Sequence, residues 1–218
     1  LDKLVLKAHA KINLSLDVLK RRDDGYHDLK MVMQTLALHD KITLEKTEDN
    51  LIYLEPGLKW LPSGPDNLAY KAAALIMEQC GIKNGIRITI EKRIPVAAGL
   101  AGGSADAAAV LKGINTMFDI GLTQEELMEM GKSLGADVPY CIVGGTMLAE
   151  GIGDKLTRLN PFGGFDVILL KPKVGVSTSW VYKNLDLNKV ISRPDTELIL
   201  SAIAEKNIGI LAKNMKNV

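Results

Sequence analysis

The sequence predicts a mixed fold of the α+β class, and three observations predict it. Every even position from 4 to 18 is apolar (Leu4, Leu6, Ala8, Ala10, Ile12, Leu14, Leu16, Val18), a period of two that belongs to a strand or a bent pair of strands. A small-residue loop over 95–109, PVAAGLAGGSADAAA, runs straight into an alanine-rich helical stretch. Start and stop signals mark further helices, among them Thr123 with Glu126 as a capping-box pattern ahead of a stop at Gly135.

The elements follow in chain order. Opposite the apolar face of the first strand stand Lys7, His9, Lys11, Asn13, Ser15 and Asp17, so Lys11 and Asn13 lie side by side, either on a solvated sheet face or lining a site. KRRDDGY at 20–26 reads as a polar turn, and strands resume at 31–38 and 42–45, joined by a tight turn over 38–41. After a loop rich in Pro and Gly, PDNL at 65–68 opens a helix with Asp66 or Asn67 as its cap, ending near Cys80 with Gly81 as its stop. A strand at 86–90 leads through EKRIP into the glycine loop, and a helix spans 104–118. The helix opened by Thr123 gives way to LGADVPY, where Asp137 can act as a cap and Pro139 suits an early helical position. Strands are predicted at 146–150 and 166–170, and helices at 177–185 and from 194 onward.

Composition narrows the function classes. A chain of 218 residues buries a real core and suits one large or two small domains, and 47% hydrophobic with 24% charged residues is ordinary for a soluble globular protein. With a net charge of +1, neither a nucleic acid nor an anionic membrane surface is expected as a partner. The only cysteines, Cys80 and Cys141, lie far apart with no CxxC, which points to a reducing compartment without disulfides or structural zinc. Asp2, Lys3, Lys7 and Lys11 interrupt the N-terminal segment, no apolar run approaches a membrane span, and a cytoplasmic location is expected.

The loop carries the chemistry. Gly99, Gly102 and Gly103 let a backbone approach a bulky anion, and the amides that open the next helix point along its positive end, so the segment reads as a phosphate cradle. No GK[ST] follows, and GLAGG does not fit GxGxxG, so it is neither a Walker loop nor a dinucleotide fingerprint. Taken alone, a tight strand-to-helix turn with packing glycines accounts for it equally well.

Three motifs decide the matter together. KINLSLDVLKRRDDGYHDL, the PVAAGLAGGSADAAA loop and LGADVPY occur in that order and spacing. The chain thereby resembles the 4-diphosphocytidyl-2-C-methyl-D-erythritol kinases of the GHMP kinase superfamily, over about residues 4 to 206. The loop alone indicates the superfamily, and GYH after KINL is the specific part. The resemblance implies a two-domain GHMP-kinase fold, divided as 1–155 and 156–218, with the substrate between the domains. It also implies an ATP-dependent, Mg²⁺-assisted kinase that phosphorylates the 2-hydroxyl of a cytidine-diphosphate-linked methylerythritol in non-mevalonate isoprenoid synthesis. The family's phosphate loop falls on Pro95, Val96, Ala97, Ala98, Gly99, Leu100, Ala101, Gly102, Gly103, Ser104 and Ala105, with Ser104 near the metal. Lys11 and Asp137 match its catalytic positions, Asn67 and Lys92 residues near its adenine pocket. Asn13, Tyr26, His27, Thr178 and Tyr182 match positions that hold the diphosphocytidyl part, with cytosine stacked on the aromatic rings. His9 and His39 have no counterpart role.

The chemistry stands without the family. Moving a phosphoryl group to an alcohol needs charge neutralisation, alignment and a proton sink. Loop amides and Mg²⁺ give the first; Asp137 could receive the proton, and Lys11 could hold that carboxylate, lower the alcohol's pKa or stabilise the transferred group. A carboxylate with a pKa of about 4 is a poor base for a ground-state alcohol, so late proton transfer is favoured over early abstraction. Another small-alcohol GHMP kinase would keep Lys11, Asp137 and the loop without needing Tyr26, His27 and Tyr182, and a nucleotide-binding module would bind ATP without turnover. The family's second glycine-rich segment, a GSG-type loop, has no counterpart after Gly163 and Gly164, and residue 1 is leucine. An incomplete C-terminal domain is therefore expected, with activity of this chain in question and an exposed edge that promotes aggregation.

Overall fold

The computed structural model describes residues 1–173, 175 and 178–218, the side chains of 178 and 179 excepted. The residues form two compact units, one of Leu1–Ala10, Leu36–Val96 and Leu100–Val143, the other of Lys11–Thr35, Ala97–Gly99 and Gly144–Val218. Two long strands, β1 (Lys3–Arg21) and β2 (His27–Thr47), contribute to both units.

In the first unit, the C-terminal part of β2 pairs antiparallel with β4 (Gly85–Glu91), from Lys41 opposite Glu91 to Thr47 opposite Gly85, and β3 (Ile52–Glu55) lies parallel to β4. Ile42, Leu44, Ile86, Ile88 and Ile90 point from these strands into a core closed by four helices: α1 (Leu68–Gln79), α2 (Gly102–Met117), α3 (Gln124–Leu134) and α4 (Val138–Val143). The helix signals hold: Asn67 caps α1, its side chain accepting from the Ala69 amide, and Gly81 follows the helix at φ 65°. Thr123 and Glu126 form the full capping box of α3. Helix α2 begins at Gly102, two residues ahead of the expected start.

In the second unit, the N-terminal part of β2 pairs antiparallel with β5 (Thr146–Gly151), which pairs with β6 (Lys155–Arg158). Helix α5 (Thr178–Asn184) and a short 3-10 turn (Leu187–Lys189) precede α6 (Thr196–Ala204) and α7 (Ile208–Asn214). The chain then adds β7 (Lys216–Asn217) in parallel beside Ser15 and Leu16 of β1. Leu14, Val32, Phe162, Ile199, Ala202, Ile203 and Leu211 make the core of this unit.

Three expectations are corrected. The turn over 38–41 does not form: β2 runs unbroken through it, because Asp40 is a fully buried acceptor for groups 52 to 54 residues away and not a turn residue. The apolar run 166–170 is not a strand; no ladder partner lies beside it among the described residues, and Ile168 and Leu170 are exposed. The lysine- and asparagine-rich end, expected to be helical, finishes as β7 because its backbone joins β1, Val218 N–H donating to Leu16 O at 3.0 Å. Ser177, placed at the start of the predicted helix, lies outside the described residues.

Candidate active site

The predicted phosphate loop has an unusual backbone. Ala97 (φ 51°), Gly99 (φ 71°) and Ala101 (φ 56°) are all left-handed, at alternate positions. For the two alanines this conformation costs about 1 kcal/mol or more each, a strain typical of ligand-binding turns. Ala101 is the N-cap of α2 and offers no side-chain hydrogen bond, so no cap side chain takes the amides that open this 16-residue helix. Ser104 is half-buried in that first turn, next to the exposed Gly103. A side chain at Gly102 would press on Ile94 Cγ2 at 3.1 Å and Lys92 Nζ at 3.3 Å, whereas at Gly103 it would meet only Leu68 Cδ1 at 3.5 Å.

Behind this loop sits a buried charge cluster. Lys92 Nζ donates to Asp40 Oδ2 at 2.5 Å and to Asp106 Oδ2 at 2.8 Å, and the three side chains are 6%, 0% and 6% exposed. Asp40 Oδ1 accepts the backbone amides of Arg93 (2.5 Å) and Ile94 (2.8 Å). Asp106 Oδ1 is buried with no hydrogen-bond partner. Burial, and then the Asp40 charge, push the Asp106 carboxyl up to about 7 against the pull of Lys92. Burial opposes the charge on Lys92, yet its two carboxylates outweigh that and hold it above the ordinary lysine value. Both ends of the Asn67 amide are also engaged, Oδ1 with the Ala69 amide and Nδ2 with Pro62 O. Lys92, expected near the adenine pocket, is thus held by two carboxylates distant from it in the sequence. The available signal was a lone Asp inside SADAAA, directly after the 95–105 loop.

The second unit gathers the other candidates. On β1 the polar face is exposed at Lys7 and His9 but closes from Lys11, which is 5% exposed and donates to Asn13 Oδ1 at 3.1 Å. The pair is thus in contact, on a face that is buried rather than solvated. Arg22 and Asp24 shape the GYH turn: Arg22 N–H donates to Tyr26 O at 2.8 Å, and Tyr26 N–H to Asp24 Oδ1 at 3.0 Å. The Tyr26 ring is left 59% exposed, while His27 turns inward and stacks on Tyr182, with centroids 5.3 Å apart and planes at 25°. A cavity of about 370 Å³ in this unit is lined by Leu16, Ala97, Ala98, Gly99, Tyr182 and Asn217 among others, which brings the middle of the loop to the same cavity as Tyr182. Thr178 opens α5, and its side chain lies outside the described residues. Asp137 belongs to the first unit, where it precedes α4 and its carbonyl accepts the Cys141 amide at 3.0 Å.

The GHMP kinases N terminal domain family matches residues 67–145, from the cap of α1 to the start of β5. A 4-diphosphocytidyl-2-C-methyl-D-erythritol kinase of Acetivibrio thermocellus is 60% identical over 218 residues, covering 100% of this chain and 77% of the relative. One of Caldicellulosiruptor saccharolyticus is 51% identical over 215 residues, covering 99% and 74%. Among solved structures, a 4-(cytidine 5'-diphospho)-2C-methyl-D-erythritol kinase superposes with a TM-score of 0.73 at 34% identity, over 93% of this chain and 72% of the other. A homoserine kinase from Cytophaga hutchinsonii shares the fold at 16% identity, with a TM-score of 0.67 over 100% and 72%. The fold is that of the GHMP kinases. Within them, the chain belongs to the 4-diphosphocytidyl-2-C-methyl-D-erythritol kinase family. No helix among the described residues is long and apolar enough to cross a membrane.

Proposed function

We propose that this chain is an ATP-dependent phosphotransferase that phosphorylates the 2-hydroxyl of 4-diphosphocytidyl-2-C-methyl-D-erythritol, acting in the cytoplasm in the synthesis of isoprenoid precursors. The observation that carries the proposal is 60% identity across the whole chain to a kinase of that name. The strained loop at the head of α2 supports nucleotide binding, since it offers uncapped amides and a positive helix end to phosphate oxygens.

The residue roles are part of the same proposal. The loop 95–105 holds the phosphates. Ser104, half-buried in the first turn of α2, would hold Mg²⁺ together with the nucleotide phosphates, and the ion would supply neutralisation of phosphate charge. The substrate oxygen forms its bond to the γ-phosphorus as the bond to the ADP oxygen breaks, and the hydroxyl proton passes late to the Asp137 carboxylate. Lys11, positioned by Asn13, neutralises charge developing on the transferred group. The exposed Tyr26 ring and Tyr182 stack on cytosine, His27 bonds its polar edge, and Thr178 and Asn13 complete the substrate contacts. Asn67 and Lys92 line the nucleotide side.

The test is a phosphorus NMR or mass-spectrometric assay of this chain with Mg-ATP and the diphosphocytidyl substrate. Formation of ADP and a new phosphomonoester on the methylerythritol is expected. Folded protein that phosphorylates homoserine or mevalonate in preference would overturn the substrate assignment.

A further inference from the structure

We propose that Asp40 and Asp106 are positioning residues that clamp the two stems of the phosphate loop together through Lys92. Residues 92–94 are the only link between β4 and the loop, and Asp40 holds every one of them: Oδ1 takes the Arg93 and Ile94 amides, and Oδ2 takes Lys92 Nζ. The same ammonium crosses to Asp106 Oδ2 in the second turn of α2, the helix into which the loop runs. Gly102, the first residue of that helix, packs so closely on Ile94 and Lys92 Nζ that a Cβ there would sit 3.1 and 3.3 Å from them. The entry and exit of the loop are therefore fixed by one buried network, anchored in the unbroken middle of β2.

The energetics favour a positioning role over a stabilising one. A buried ion pair returns little net stability because desolvation offsets its attraction, and an apolar replacement of similar volume is often as stable. Here two carboxylates share one ammonium and one carboxylate oxygen is left without a partner, an arrangement poorer still for stability. What it supplies is direction: bonds of fixed geometry on a loop that holds left-handed alanines at 97 and 101. The consequence for nucleotide binding rests on the kinase reading above, whereas the clamp itself does not.

Hydrogen exchange resolved by mass spectrometry separates the two, using wild type, Asp106→Ala, Asp106→Asn and Asp40→Asn. In Asp106→Ala, peptides covering 92–101 should exchange about tenfold faster while those of α3 keep the wild-type rate, and Asp106→Asn, which retains an acceptor for Lys92, should restore most of the protection. ATP affinity measured by calorimetry should fall about tenfold in Asp106→Ala with the affinity for the diphosphocytidyl substrate unchanged. Should Asp40→Asn fold where Asp106→Ala does not, the same local acceleration is expected of it. Wild-type exchange over 92–101 in these variants, or acceleration spread evenly across the first unit, would overturn the clamp. Wild-type protein that binds no ATP would overturn the kinase reading and leave the exchange data to decide the clamp.

Discussion

Lys92 and Asp106 form a buried ion pair, Nζ to Oδ2 at 2.8 Å, in which the second carboxylate oxygen of Asp106 meets no donor. Burial raises the Asp106 carboxyl to about 7, against an ordinary value of about 4 in the unfolded chain. The folded state therefore binds this proton more tightly than the unfolded state does. The resulting stabilisation is complete below pH of about 4 and is lost as pH rises to about 7. Asparagine cannot ionise, so Asp106→Asn lacks this loss. Its melting temperature relative to wild type should climb between pH 4 and 7 and level off above, as read by scanning fluorimetry at constant ionic strength. A difference that does not change with pH would remove the proton from Asp106.

Asp137→Asn isolates the proton acceptor. Asparagine is as good as aspartate ahead of a helix, and the bond from the Cys141 amide goes to the main-chain carbonyl, so α4 should survive the change. Removing a positioned general base costs about 100-fold or more in kcat. ATP affinity should stay at the wild-type level. Single-turnover kinetics with near-normal rates would remove Asp137 from the chemistry.

The local signals were legible where a short stretch decides its own structure. Alternation from Leu4 to Val18 marks β1, and Thr123 with Glu126 fixes the start of α3, because period and capping involve neighbours only. The loop and GYH stand out because glycines ahead of a helix and an aromatic pair after a polar turn are short-range patterns, and the roles proposed for them, approach to an anion and stacking on a base, rest on that spacing. Asp40 was misread because its role is set by Lys92, Arg93 and Ile94, more than 50 residues on, and a polar pair between apolar runs looks like a turn until that partner is known. Asp106 went unnoticed for the same reason. The two-residue β7 carries no apolar pattern and exists only through its pairing with Ser15 and Leu16. Residues 166–170 fail in the other direction, with a strand's composition and no strand beside it among the described residues.

Tyr26 and Tyr182 are expected to respond differently. The Tyr26 ring is 59% exposed, so Tyr26→Ala should leave the melting temperature within about 2 °C of wild type. Loss of one base stack, about 1 to 3 kcal/mol, should weaken the diphosphocytidyl substrate about tenfold or more, with ATP affinity intact. Tyr182→Ala also takes away the ring stacked on His27 and should lower both stability and substrate affinity. Titration of CDP against each variant by calorimetry checks the pair, and unchanged affinity in Tyr26→Ala would exclude stacking at that ring.

Two adjacent glycines distinguish packing from ligand approach. A side chain at Gly102 would press on Ile94 Cγ2 at 3.1 Å and on the Lys92 ammonium at 3.3 Å, atoms held in place by Asp40 and Asp106. Gly102→Val should therefore destabilise the folded protein by about 1 to 3 kcal/mol, the usual range for overpacking, and impair nucleotide binding with it. At Gly103 the added carbon meets only Leu68 Cδ1, at an ordinary 3.5 Å, and the backbone is helical. Alanine is the better helix former, so Gly103→Ala should match or exceed wild type in stability. Any loss of ATP affinity in Gly103→Ala then reports the space a phosphate needs, free of a folding defect. Denaturant melts paired with ATP calorimetry separate the cases, and full ATP affinity in a stable Gly103→Val would show that phosphates approach elsewhere along the loop.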